Sequence, residues 1–160
     1  ELGAALTHED LACVDLLATE TLTPLCSPAL RKALPTFCTP PDLLRQRLLH
    51  DTPKGNWGRW FSAAGYPDLP VPAGLNLSDS ALALQAAADG QGVALGRLFL
   101  AAADIRAGRL VLPCPEQRIA NDYAYWLVWP PRHDANPAIT TVRDWIRSTA
   151  QAENTGAEQA

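Results

Sequence analysis

The stretch that most restricts what this chain can become is residues 75–96. It runs Leu75-Asn76-Leu77, then Ser78-Asp79-Ser80, then an uncharged run to Ala88, and ends Gly90-Gln91-Gly92-Val93-Ala94-Leu95-Gly96. The pattern reads as strand, helix, strand. Ser78, Asp79 and Ser80 are residues whose side-chain oxygens accept from the first unpaired N–H groups of a helix. The helix they start is built of Ala and Leu, too small and too apolar for a surface helix, so it is expected to pack closely against a sheet. Gly90 stands where a left-handed residue closes a helix. A strand feeding a hydroxyl-rich helix start is also a physical recipe for an anion site. Two readings follow for the three residues: they cap the helix and nothing more, or they also hold a ligand.

Upstream, residues 13–18 read as a strand, Thr19-Glu20 as a break, and residues 21–26 as a second strand. Pro24 cannot donate to a ladder, which puts it at an edge or a crossing between lobes. Ser27-Pro28 opens a helix with Ser as cap and Pro at its first position. Thr39-Pro40-Pro41-Asp42 opens a second, short one, and Leu48-Leu49-His50 is a short strand. After a polar loop at 51–55, Asn56 is expected to cap a helix. Its Trp57, Trp60 and Phe61 recur at i, i+3, i+4 and give one aromatic face, read as core. Gly65 ends it, and residues 66–74, with three prolines, form a loop.

Downstream, residues 97–107 read as a helix closed by Gly108, residues 109–112 as a strand, and 113–122 as a polar connection. Residues 123–129 are the longest β-prone run and stop at Pro130-Pro131. Asn136-Pro137 opens a last helix with an apolar stripe of Ile139, Val142, Trp145, Ile146 and Thr149, and with Arg143, Asp144 and Arg147 on the other face. Residues 151–160 lack a stripe and are expected to be a disordered tail. Strands alternating with helices argue an α/β sheet covered on both faces, in which ligands sit beyond the C-terminal strand ends at helix starts.

Composition removes several functions. A net charge of −4 offers no basic footprint for nucleic acid. The four cysteines (13, 26, 38, 114) have no CxxC spacing and no histidine partners at zinc spacing, so no metal is expected. Cys26 and Cys114 sit in apolar surroundings and read as buried thiols; a reduced, cytoplasmic setting fits, with a Cys26–Cys38 disulfide left open. No apolar run reaches membrane-spanning length. The first residues lack the basic region and apolar core of a signal peptide. The chain neither begins with Met nor contains one, as a piece of a longer protein would. No phosphate loop, dinucleotide fingerprint, nucleophile elbow or zinc-protease motif is present, and no cofactor is expected. His8, His50 and His133 are isolated, and His50 reads as structural.

Five ordered motifs carry a resemblance. Leu22-Thr23-Pro24-Leu25-Cys26-Ser27-Pro28 resembles the hinge strand of LysR-type transcriptional regulators. Leu48-Leu49-His50 with Trp57 and Trp60, the stretch Ser78 to Ala87 with Gly90 to Gly96, the run Asp104 to Val111, and Tyr125-Trp126-Leu127 are similar to the subgroup that holds the glycine-cleavage activator and the β-lactamase regulators. The match runs from about residue 13 to 148.

The resemblance implies an effector-binding domain of the type 2 periplasmic-binding-protein fold, two α/β lobes joined by crossing strands, here 22–26 and 123–129. The second lobe (24–127) would be nearly complete. Residues 1–23 and the return through 128–150 would be a remnant of the first, and 151–160 a tail. The winged helix-turn-helix that binds DNA in the family, and most of the first lobe, are absent from this sequence. Ser78, Asp79 and Ser80 fall where the family presents a helix start to its effector. Tyr125 falls on the hinge strand lining the cleft, and Ser27 lies at the other hinge. The implied partners are a small anionic metabolite, of the amino-acid or peptide kind, and further copies of the domain in a homodimer or tetramer; DNA would be reached only through the missing domain. A solute-binding protein of transport type and a small α/β enzyme are the alternatives.

Overall fold

The computed structural model describes residues 13–36, 38–51, 56–131 and 134–158, with side chains through 154. The expectations for residues 1–12, His8, the loop at 52–55, His133 and the last two residues lie outside the described residues. Five strands form one mixed sheet: β1 (Cys13–Leu25), β2 (Leu48–His50), β3 (Leu75–Asn76), β4 (Val93–Arg97) and β5 (Ile119–Trp129), in the order β3-β2-β4-β1-β5. β2 runs parallel to β3 and β4, and β1 runs antiparallel to both β4 and β5. Five α-helices accompany them: α1 (Pro28–Lys32), α2 (Asn56–Ala63), α3 (Ser80–Ala88), α4 (Leu98–Arg106) and α5 (Pro137–Glu158). A 3-10 turn spans Pro40–Arg45.

The sheet is apolar on both faces because its strands alternate between two cores. Leu22, Cys26, Leu48, Val93 and Leu95 point one way, into a core shared with Leu34, Leu43, Trp57, Trp60, Phe61 and Cys114. Leu25, Leu49 and Ala94 point the other way, against Ala83, Leu84, Ala87, Ala101 and Leu110 of the α3–α4 layer. The aromatic face of α2 is core, as its spacing predicts. Trp57 meets Trp60 edge-on at 5.7 Å, and Phe61 stacks on Trp57 at 5.7 Å. Both indoles also donate: Trp57 Nε1 to the Leu49 carbonyl at 2.9 Å and Trp60 Nε1 to the Gln117 carbonyl at 3.0 Å. Each polar handle is thereby paired, as burial demands. α3 approaches the sheet closely over Gly96, where an added Cβ would lie 2.6 Å from both Leu25 Cδ1 and Leu84 Cδ2.

Start and stop signals hold up well. Ser27 caps α1, its Oγ accepting from the Leu30 N–H at 3.2 Å, and the Thr39–Asp42 capping box opens the 3-10 turn. Gly65, Gly90 and Gly108 all take positive φ after α2, α3 and α4. Pro24 is tolerated for a visible reason. Its neighbour β4 lies on one side, and on the other β5 pairs only as far as Leu22, before the isolated Cys26–Val111 bridge. The missing N–H therefore falls between two ladders.

Several expectations are corrected. Thr19-Glu20 does not break the strand: β1 runs 13 residues, and the irregularity is taken up as register shifts against β5 between Leu16 and Ala18 and between Thr19 and Thr21. Residues 109–112 contribute one bridge rather than a strand. β5 starts at Ile119, inside the expected connection. Asn56 is the first residue of α2 rather than its cap, and α4 starts at Leu98, with Arg97 closing β4. α3 is packed on one side only, leaving Leu82 half exposed. The tail is helical through Glu158 because Glu153 forms a two-pronged ion pair with Arg106 at 2.8 Å and Asn154 donates to the Leu17 carbonyl. The stripe of α5 is split: Ile139 and Ile146 are half-buried, whereas Val142 and Trp145 are 54% and 66% exposed. Arg143 and Arg147 turn inward instead, the first to Asp134 at 2.9 Å and over the Trp129 ring, the second to Asp15.

Candidate functional site

β2, β3 and β4 are parallel, so their C-terminal ends share one edge of the sheet, and α3 and α4 start there. Asp79 is the cap of α3: its extended backbone (φ −142°, ψ 135°) turns the carboxylate onto the Ala81 N–H at 2.7 Å. Ser80 is the first helical residue, half-buried, and its Oγ donates to Asp51 Oδ2 at 2.8 Å, just past the end of β2. Ser78 is exposed. The structure thus brings Ser78, Asp79 and Ser80 to one helix start and adds Asp51, which sequence reasoning passed over as loop.

Beside this edge lies a polar cluster on the two long strands. Glu20 of β1 is 2% exposed. Its Oε1 is 3.1 Å from Arg97 Nε and accepts from the Tyr125 hydroxyl at 3.2 Å, while Oε2 accepts from Asn121 Nδ2. The Arg97 contact is a charge contact off the hydrogen-bond line, so the buried Nε–H has no acceptor among the described residues. Arg97 sits at the junction of β4 and α4, and Phe99, two residues into that turn, holds the Tyr125 ring at 4.8 Å. Burial first, and the Glu20 charge second, push the Tyr125 phenol above its ordinary range. It is therefore a neutral donor at physiological pH. Tyr125 is half-buried on β5 and stands with Glu20, Arg97 and Asn121.

Ser27 is not brought to this group. Its hydroxyl caps α1 and lies close to Gly90, just beyond the C-terminal end of α3, the end opposite Ser80. His50 packs its ring against Gly74, in keeping with the structural reading, and its buried Nε2 has no hydrogen-bond partner among the described residues. No group of three or more His, Cys, Asp or Glu among the described residues could hold a metal ion. Sequence reasoning missed Glu20, Arg97 and Asn121. The usable signal was a lone Glu inside an apolar strand and a lone Arg between an apolar strand and an apolar helix, charges that burial tolerates only when paired.

Comparisons with known proteins agree on one relationship. The family model described as LysR substrate binding domain matches residues 2–151. The glycine cleavage system transcriptional activator of Escherichia coli strain K12 is 37% identical over 140 residues, 88% of this chain and 46% of that protein. The transcriptional activator AmpR of Rhodobacter capsulatus is 35% identical over 130 residues, 81% of this chain and 43% of that one. Among solved structures, the effector domain of the transcriptional regulator AmpR of Pseudomonas aeruginosa superposes with a TM-score of 0.69 at 27% identity, over 96% of this chain and 72% of that chain. The chain spans about half the length of the curated relatives it matches. They are named as regulators of transcription, neither transport proteins nor enzymes. The fold is that of these effector domains, the type 2 periplasmic-binding-protein-like arrangement.

Proposed function

Because this chain belongs to the family of LysR substrate-binding domains, we propose that it is the effector-sensing part of a LysR-type transcriptional regulator and that its ligand binds at the start of α3. The observation that carries the reading is the Ser80 hydroxyl at the start of α3, held to Asp51 at the C-terminal edge where β4 also ends, at Arg97 of the Glu20–Arg97–Tyr125 cluster. Helix N–H groups and Arg97 favour an anionic group there. The named side chains at the edge also include three carboxylates, Glu20, Asp51 and Asp79, which oppose a ligand that is purely anionic. A zwitterion of the amino-acid or peptide kind answers both, with its carboxylate toward α3 and its ammonium toward Asp51. Ser78, Asp79, Ser80 and Tyr125 are its contacts; Ser27 serves as a cap.

The domain plan follows the same reading. Residues 24–127 form one lobe, and 13–23 with 128–150 belong to another whose remainder lies outside the chain. One face of the β1–β5 ribbon supports this: Val14 opposite Val128 and Leu16 opposite Trp126 are all about half exposed, a bare apolar surface. Closure of the second lobe on a ligand would pull on Tyr125 and Asn121, and through β5 on whatever covers that ribbon. Copies of the domain would then rearrange, and DNA would be reached through a separate N-terminal domain. The role is that of a sensor, not of an enzyme.

The test is a melting screen of the complete regulator and of the 160-residue chain against amino acids, short peptides and simple carboxylates. A ligand at about a hundred times its dissociation constant stabilises its target by roughly 2.7 kcal/mol. Ser80→Ala and Tyr125→Phe are expected to remove the response of the complete regulator without lowering its melting temperature by more than a few degrees. Stabilisation by neutral hydrophobes alone, or a response untouched by either substitution, would overturn the reading.

A further inference from the structure

Outside the edge described above, two thiols meet in a place that effector sensing does not use. Cys38 precedes the capping box of the 3-10 turn, and Cys114, between Pro113 and Pro115, precedes β5. Their Sγ atoms are 3.5 Å apart, and Cys114 Sγ also lies 3.4 Å from the Cys38 carbonyl oxygen. Cys114 is buried, whereas Cys38 is half-buried; both line an open cleft of about 290 Å³, whose other walls include Thr39, Tyr66 and Gln117. Cys26 belongs to the same core but makes no sulfur contact with either thiol among the described residues, and Cys13 starts β1. All four cysteines are free thiols, so the Cys26–Cys38 disulfide left open from sequence is not formed in this structure.

We infer that Cys38 and Cys114 are a dithiol that closes to a disulfide when the cleft admits a peroxide. Cys38 is the thiol that peroxide reaches. Its thiolate attacks the O–O bond, giving a sulfenic acid and, after protonation, one water. The Cys114 thiolate then attacks that sulfur, forming the S–S bond and expelling hydroxide, which is protonated to a second water. Two thiols and one peroxide thus become one disulfide and two waters, with the peroxide reduced. The sulfurs must approach by about 1.5 Å to reach bonding distance, a shift that a segment without regular structure can make. Burial pushes both thiols above their ordinary range, so little thiolate is present at neutral pH and the reaction responds to strong or sustained oxidant rather than to traces. The bond would pin the approach to β5 to the 3-10 turn. Gln117, three residues past Cys114, already holds Trp60, and β5 carries Asn121 and Tyr125 to Glu20.

The experiment treats the 160-residue chain with hydrogen peroxide, counts thiols, and maps peptides without reduction. Expected are loss of two of the four thiols, a mass lower by two hydrogens, a Cys38–Cys114 cross-linked peptide that dithiothreitol reverses, and a melting temperature higher by roughly 10 °C. Cys38→Ser abolishes the cross-link and Cys13→Ser leaves it intact. Oxygen addition at Cys38 without the cross-link, a disulfide through Cys13 or Cys26, or four surviving thiols would overturn the inference. Mapping of the unsubstituted chain decides it alone if a variant fails to fold.

Discussion

Replacing Arg97 by Met should test whether the Glu20 cluster is a clamp or a by-product of packing. Removing one partner of a buried ion pair costs about 3–5 kcal/mol, because the other charge stays behind without compensation. Here Glu20 is 2% exposed but the Arg97 side chain is 30% exposed, so water already screens one end of the pair. Tyr125 and Asn121 go on donating to the carboxylate after the substitution. Each such bond supports the charge by about 1 kcal/mol or more. These corrections bring the expected loss to about 2 kcal/mol. Glu20→Gln, which leaves a cation that can reach solvent, is expected to cost about 1 kcal/mol. The double variant should then lose less than the sum of the two, by about 1 kcal/mol or more. Urea unfolding followed by tryptophan fluorescence is a suitable readout, since Trp57 and Trp60 are buried. Additivity within about 0.3 kcal/mol would show that the two groups act independently. The cluster would then be a by-product of packing and not a clamp of β1 and β5 on the start of α4.

Gly96→Ala should destabilise by about 1–3 kcal/mol, because Leu25 and Leu84 both crowd the new methyl and both are buried; an unchanged urea midpoint would show that α3 can retreat. Asp79→Ala should cost about 1 kcal/mol through loss of the α3 cap, and Asp79→Ser should restore most of it. The pair between Arg106 and Glu153 holds the Glu153 carboxyl below its ordinary 4.5, first through the hydrogen bonds and then through the charge. A depressed carboxyl adds stability that is present above pH 4.5 and lost as the pH falls through the depressed value. An NMR titration of Glu153 should therefore end below 4.5 in the unsubstituted chain and return to the ordinary range in Arg106→Gln; identical titrations would separate the pair from the docking of α5.

Much of the architecture between residues 27 and 108 was legible because its signals are local. Ser27-Pro28, the Thr39–Asp42 box, Gly65, Gly90 and Gly108 act within one turn of chain, and each falls where its chemistry requires. The aromatic face of α2 was equally readable, since spacing alone puts Trp57, Trp60 and Phe61 together. Illegible were the features whose partners are far away in sequence. Glu20 looks like a strand breaker until Arg97, Asn121 and Tyr125, some 77 to 105 residues on, supply its donors. Asp51 looks like loop until Ser80 donates to it across 29 residues. The helix start was legible and its carboxylate partner was not, because Asp51 and Ser80 are joined only by the fold.

The splitting of the α5 stripe has a different cause. Periodicity identifies which side chains share a helix face but not which face meets the sheet. Here Arg143 and Arg147 go inward because Asp134, the Trp129 ring and Asp15 wait there, partners strong enough to hold guanidinium groups whose stems still cover apolar surface. Ile139 and Ile146 stay half-buried, whereas Val142 and Trp145 are left more exposed, and so are Leu16, Trp126 and Val128 on the ribbon. The helix and the ribbon thus meet through ion pairs and the Arg143–Trp129 contact, with Trp145 and Trp126 on the outside. An amphipathic pattern cannot show this, because it does not say which of its faces meets the rest of the chain.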